Sequence, residues 1–183
     1  MNGLHLWHDI PAGPRPPEEL TAVIEIPGGG KMKYELDKEL GVFRLDRVLH
    51  SAVHYPGDYG FIPRTLGDDG DPLDVILIMA NSTFPGCLVD VRPIGVFHLI
   101  DKGAGDEKIL AVAISDPYTR EIVDLSSVRA HKLKEIEHFF QVYKDLEGHR
   151  TETRGFANAA EARRLIVEGM ERYTRKFGGR AHA

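Results

Sequence analysis

Two hydrophobic periodicities, and the order in which they occur, constrain this chain more than any other feature. Up to about residue 114 the apolar residues come in short runs or in alternation, punctuated by glycine and proline. Beyond about residue 128 they fall at helical spacing. Strands first and helices last predict an α+β fold. Thr21 to Ile26 reads as a strand ended by Pro27, and Lys31 to Leu36 alternates with period 2; the Gly28–Gly30 turn is expected to join them as a hairpin. Val42 to Leu49 reads as a third strand. Residues 54–72 are rich in glycine and proline and read as a long ordered loop, a length that usually carries function. Leu73 to Met79, Leu88–Val91, Ile94–Ile100 and Lys108 to Ile114 read as further strands. Leu133, Ile136, Phe139, Phe140, Tyr143 and Leu146 predict a helix over about 128–146. Asn158, with Glu161 three residues on, predicts the N-cap of a second helix running to about Lys176.

The length of 183 residues implies one domain over 1–183, with a Pro-rich extended arm over 1–20 and a frayed tail over 178–183. The longest apolar runs, Val75 to Ala80 and Ile109 to Ile114, are too short to span a bilayer. No basic region followed by an apolar core opens the chain, so the expected location is the cytoplasm, with no membrane partner. Cys87 is the only cysteine, which excludes an intrachain disulfide and a multi-cysteine zinc site. The net charge of −5 argues against general nucleic-acid binding.

The strongest local signal is Asp69-Gly70-Asp71-Pro72-Leu73-Asp74, preceded by Asp68. Carboxylates this close repel unless cations neutralise them. Gly70 and Pro72 make a turn on which the carboxylates converge, and all-oxygen ligands suit Mg²⁺ or Mn²⁺. An acidic turn is ordinarily just solvated. Here a buried strand follows at once and places Asp74 at its start, where solvation is poorer, which favours a metal site. An EF-hand does not fit, because the sixth position counted from Asp69 is Asp74 rather than glycine. Asp101 and Asp106 bracket a glycine-containing loop, by itself a plain hairpin turn, which gains meaning only if the fold brings it to the first cluster. Lys33 and Glu35 share one strand face, and Arg47, Tyr55, Tyr59, Tyr143 and Lys144 are candidate phosphate or metal-water contacts. Gly28-Gly29-Gly30-Lys31 is not a P-loop, since Met32 replaces the required Ser/Thr. His50 and His54 lack an HExxH context and read as structural.

These residues together resemble the soluble family I inorganic pyrophosphatases, prokaryotic type. The match runs through Ile24-Glu25-Ile26-Pro27, Lys33-Tyr34-Glu35-Leu36-Asp37-Lys38, Asp46-Arg47 and Tyr55-Pro56-Gly57-Asp58-Tyr59-Gly60-Phe61-Ile62. It continues through the Asp69–Asp74 signature, Arg92-Pro93-Ile94-Gly95, Asp101, Asp106, Lys108, His138-Phe139-Phe140 and Tyr143-Lys144-Asp145-Leu146. The resemblance implies a small closed OB-like antiparallel β-barrel with two main C-terminal helices packed outside, and a homohexamer. It implies metal-dependent hydrolysis of pyrophosphate to two orthophosphates by a metal-activated water, with Mg²⁺ as cofactor and Mn²⁺ or Zn²⁺ as substitutes. By position, Asp69, Asp71, Asp74, Asp101 and Asp106 are the implied metal ligands, with Asp71 also the general base and Tyr55 a hydroxyl beside the nucleophile. Lys33, Glu35, Arg47, Lys108, Tyr143 and Lys144 are the implied substrate contacts, with Glu25 and Tyr59 behind them. The chain departs from the pattern at Lys102, where an acidic residue is expected beside Asp101; it reads either as a solvent-facing lysine with no role or as an ammonium that weakens the loosest metal site. Two rivals are a nucleic-acid-binding barrel, disfavoured by mixed strand charges (Lys33 with Glu35, Arg44 with Asp46), and a nucleoside triphosphate hydrolase, for which no segment offers a base-stacking pocket.

Overall fold

The computed structural model describes residues 4–101 and 103–178. Among the described residues nine strands precede or flank two α-helices: β1 Leu20–Ile26, β2 Met32–Asp37, β3 Val42–Val48, β4 Asp58–Phe61, β5 Asp74–Ile78, β6 Leu88–Asp101, β7 Ala104–Gly105, β8 Lys108–Ala113, α1 Ala130–Val142, β9 Thr151–Asn158 and α2 Ala159–Phe177. The larger sheet has the order β1-β4-β5-β8-β6-β7, with β9 added beside β6 and a further pairing of β6 back onto β1. Leu20 to Val23 pairs antiparallel with Val91 to Leu88.

The sheet is mixed, which corrects the expectation of an all-antiparallel one: β5 and β8 run parallel, Asp74 opposite Lys108. A parallel pair needs both faces covered, and the near-continuous apolar runs of these strands supply that. Ile76, Ile78, Leu110 and Val112 point to a core shared with Phe139 and Phe140 of α1. Val75, Leu77, Ile109 and Ala111 point to the other core, shared with Ala162 and Ile166 of α2. Alternation along each strand thus feeds two cores, one under each helix.

The expected β1–β2 hairpin does not form; β2 pairs with β3 as a separate two-stranded sheet. The stretch 54–72 is not all loop, because β4 runs through it. Gly60 at its centre is required by contact: a Cβ there would stand 1.9 Å from the Val23 carbonyl oxygen. The two strands expected across residues 88–100 are one, β6, with the ladder to β8 shifting register between Pro93 and Gly95. Proline has no N–H to give that ladder, and the irregularity absorbs it. The helix expected over 128–146 divides into α1 and a 3₁₀ turn at Asp145–Glu147. Asn158 caps α2 as its spacing predicts, its side-chain oxygen accepting from the Glu161 N–H at 3.1 Å.

Near the N-terminus, residues 6–9 form a turn that seats Trp7, 3% exposed, against Phe61 and Leu66. Trp7 Nε1 donates to the Thr65 carbonyl at 2.9 Å, and the Arg64 N–H donates to the Trp7 carbonyl at 3.0 Å. This turn buttresses the segment that leads into the acidic loop.

Candidate active site

A single cavity of about 570 Å³ collects the chemistry-bearing residues of both sheets and of the α1 C-terminus. Of the residues singled out in the sequence, Glu25, Lys33, Glu35, Arg47, Tyr59, Asp69, Asp71, Asp74, Asp101, Asp106, Lys108, Tyr143 and Lys144 line it. Tyr55 does not; its buried ring packs on Tyr59 at 5.3 Å and Phe139 at 4.8 Å between centroids. Lys102 lies outside the described residues.

Local backbone explains the convergence. Glu25 is the extra residue of a bulge in β1, where Ile24 faces Gly60 and Ile26 faces Tyr59. A bulge re-aims one side chain, here a carboxylate, out of an otherwise apolar strand. The glutamate is buried, and the Leu36 N–H donates to its Oε1 at 2.9 Å. Burial first, and then the charge of Asp74, push its pKa up to about 8 against that hydrogen bond. A second register shift, between Lys33 and Tyr34, makes Asp46 the extra residue on β3 and sets Lys33 opposite Arg47. The acidic turn reverses at Gly70, whose φ of 92° suits glycine alone, and the Asp71 N–H donates to Asp69 Oδ1 at 3.0 Å.

The parallel start of β5 and β8 brings the two acidic segments together. Asp74 and Lys108 are register partners, and Asp106 precedes Lys108 by two residues. Lys108, 3% exposed, donates to both Asp74 and Asp106. Burial by itself would lower the lysine pKa; the two carboxylates outweigh it and hold it above its ordinary value. Asp74 titrates above the usual carboxylate range because burial exceeds the help from Lys108. Tyr59 and Tyr143 are held far from ionising, by burial first and by nearby aspartates second.

Opposite stand the cations. Lys33 pairs with Glu35 and, at 3.4 Å, with Asp46. Arg47 pairs with Asp46 and stands 2.9 Å from Glu147. Lys144 holds Asp101 Oδ2 at 2.7 Å, and Lys38 holds Asp71. Each of Asp71, Asp74, Asp101 and Asp106 therefore faces an ammonium, and among the described residues no three His, Cys, Asp or Glu side chains stand in a ligand-like group. The donors nonetheless fit a hard divalent cation, being oxygen throughout. Among the described residues, Asp101 Oδ1 and Glu147 Oε1, both from residues lining this cavity, are buried side-chain oxygens without a hydrogen-bond partner. Such orphaned atoms concentrate where an ion or substrate completes the network.

Sequence reasoning did not assign Tyr34, Lys38, Asp46, Glu147 or His149, which also line the cavity. Lys38 and Asp46 sit inside motifs already quoted. Glu147 and His149 follow the α1 end in a segment with no local signal of its own.

A family model described as inorganic pyrophosphatase matches residues 22–174. An inorganic pyrophosphatase of Halalkalibacterium halodurans is 50% identical over 157 residues, 86% of this chain and 96% of that protein. One of Haloferax volcanii is 43% identical over 175 residues, 95% of this chain and 99% of that protein. A crystal structure of an inorganic pyrophosphatase from Thermus thermophilus superposes with a TM-score of 0.90 at 38% identity, covering 93% of this chain and 99% of that one.

Proposed function

This chain belongs to the inorganic pyrophosphatase family, and from that premise we propose that it hydrolyses pyrophosphate to two orthophosphates with Mg²⁺ and with Asp71 as the general base. The observation that carries the reading is one cavity in which six aspartates stand with Lys33, Arg47 and Lys144, and in which Asp101 Oδ1 and Glu147 Oε1 are buried without a hydrogen-bond partner. Asp69, Asp71, Asp74, Asp101 and Asp106 would hold the cations. When bound, a divalent cation offsets the phosphoryl charge and acidifies a coordinated water. Asp71, more than half exposed on a turn, accepts the proton of the water that attacks one phosphorus. Lys33, Arg47, Tyr143 and Lys144 bind the phosphoryl oxygens and stabilise the charge that the bridging oxygen takes as its bond to phosphorus breaks. Lys108, itself buried, holds the half-buried Asp74 and Asp106 together by pairing with both. Tyr59 and Glu25 shape the floor, and Tyr55, packed beneath Tyr59, supports it. Lys33 and Arg47 now spend their charge on Glu35, Asp46 and Glu147, partners that a polyanion would replace.

Around this site we read the return of β6 onto β1 as closure into an OB-like barrel, the chain as one domain, and the assembly as a cytoplasmic homohexamer. Among the described residues no helix is long and apolar enough to cross a membrane. Phosphate release from pyrophosphate, triphosphate and ATP, each with Mg²⁺ and after exhaustive chelation, tests the function. The expected result is release from pyrophosphate that vanishes on chelation. Turnover that survives chelation, or that favours ATP, would overturn the reading.

A further inference from the structure

Three of the lysines that hold the cavity's aspartates differ in how free they are to leave. Lys108 is 3% exposed and shared between two carboxylates. The Lys144 side chain is 12% exposed and lies over the Tyr143 ring, its Nζ 5.2 Å from the centroid. Lys38 has one carboxylate partner, Asp71, and the two side chains are 48% and 54% exposed.

The backbone on each side of that pair is fixed. Lys38 lies on the turn that follows β2, where the Glu39 and Leu40 N–H groups donate to Asp37 Oδ1 and the Gly41 N–H donates to the Asp37 carbonyl at 2.7 Å. His5 Nε2 stands 2.9 Å from the Lys38 carbonyl oxygen, so the N-terminal turn grips this rim. The same turn grips the opposite rim through Trp7 and Thr65. The turn thus touches both rims, and the bridge between them is the lysine side chain, a flexible four-carbon stem with a compact charge.

Resting on the reading of Asp71 as a metal ligand, we infer that Lys38 is a positioning residue that acts as a displaceable counter-ion. It occupies Asp71 when no divalent cation is bound and yields it on loading, so metal entry at Asp71 is an exchange rather than a simple addition. Lys38 keeps the aspartate on the cavity side of its turn and spares the metal-free protein an uncompensated carboxylate. In return it competes with the cation. Lys108, buried and shared between Asp74 and Asp106, is less free to leave its partners.

The test is calorimetric titration of the chelated, dialysed protein with Mg²⁺, a readout independent of turnover. Exposed ion pairs contribute about 0.2–1 kcal/mol, so Lys38→Met is expected to shift the Mg²⁺ midpoint to concentrations about 1.4- to five-fold lower. Lys38→Arg, which keeps the charge, should stay near wild type. So should Lys31→Met, which removes the same charge from a residue outside the cavity lining. The gap between Lys38→Met and wild type should narrow as ionic strength rises. Unchanged or weaker Mg²⁺ binding in Lys38→Met, or an equal gain in Lys31→Met, overturns the inference while leaving the metal site standing. Absence of Mg²⁺ binding to the wild type is a different result: it removes the metal reading itself, and this inference with it.

Discussion

Glu25 offers a prediction whose size follows from its surroundings. It sits at the β1 bulge, buried, with the Leu36 N–H on Oε1, and its pKa is pushed from 4.5 to about 8, by burial first and Asp74 second. The folded state therefore binds a proton at Glu25 that the unfolded chain has released. Stability from this group is complete below about 4.5 and is lost progressively as pH rises through about 8. Each unit of difference corresponds to about 1.36 kcal/mol, so the full loss is about 5 kcal/mol. Glu25→Gln keeps the shape and an acceptor for Leu36 but cannot titrate. Its new amide N–H₂ costs about 1–3 kcal/mol if it finds no partner, but that cost does not change with pH and cancels in a comparison across pH. Urea unfolding in chelator, followed by circular dichroism at pH 6 and pH 8.5, should show wild type losing about 2–3 kcal/mol relative to Glu25→Gln over that interval. Parallel pH dependence of the two proteins would refute the reasoning, because it would mean that Glu25 is already ionised in the fold at pH 6.

Asp71→Asn should lower pyrophosphate hydrolysis by about 10²–10⁴ with an unchanged far-ultraviolet spectrum; retention of more than about a tenth of the rate would exclude Asp71 as the base. Lys108→Met leaves the half-buried Asp74 and Asp106 without their cation and should cost about 1–3 kcal/mol in chelator, read by calorimetric unfolding at neutral pH. Acidification should recover part of that loss, since Asp74 titrates above the usual range and takes up its proton more readily in the folded state. A loss under about 1 kcal/mol would mean that water reaches the pair and its burial is not what matters.

What could be read from the sequence was what is local. The Asp69–Asp74 turn is announced by Gly70 and Pro72, and the α2 cap by Asn158 and Glu161, because turn and cap preferences act over a few residues. Asp101 and Asp106 were ambiguous for a physical reason: they form a true hairpin turn, Asp101 opposite Ala104, and become part of the site only through the parallel β5–β8 register. Parallel pairing joins segments far apart in the chain, and neither segment's sequence says which partner it takes. β4 was hidden because Gly60, demanded by the Val23 carbonyl, reads as a breaker where it is a fitting. β9 was missed because its exposure alternates weakly and Gly155, at φ 81°, interrupts it. Lys38 lay in plain view inside a quoted motif, but its partner is 33 residues away, beyond the reach of any local pattern.

Strand β6 is paired with β1, the earliest strand, and with β9, among the last elements to be made. During vectorial synthesis the N-terminal strands therefore wait for β6 to emerge, and β6 waits for β9 to cover its far half. Lys144 can meet Asp101 only once the chain has grown past α1. Until then the acidic turn is already present on the nascent chain without its full set of opposing cations, so a ribosome-bound fragment ending before residue 143 would carry the carboxylates but not the cleft that gives them a task.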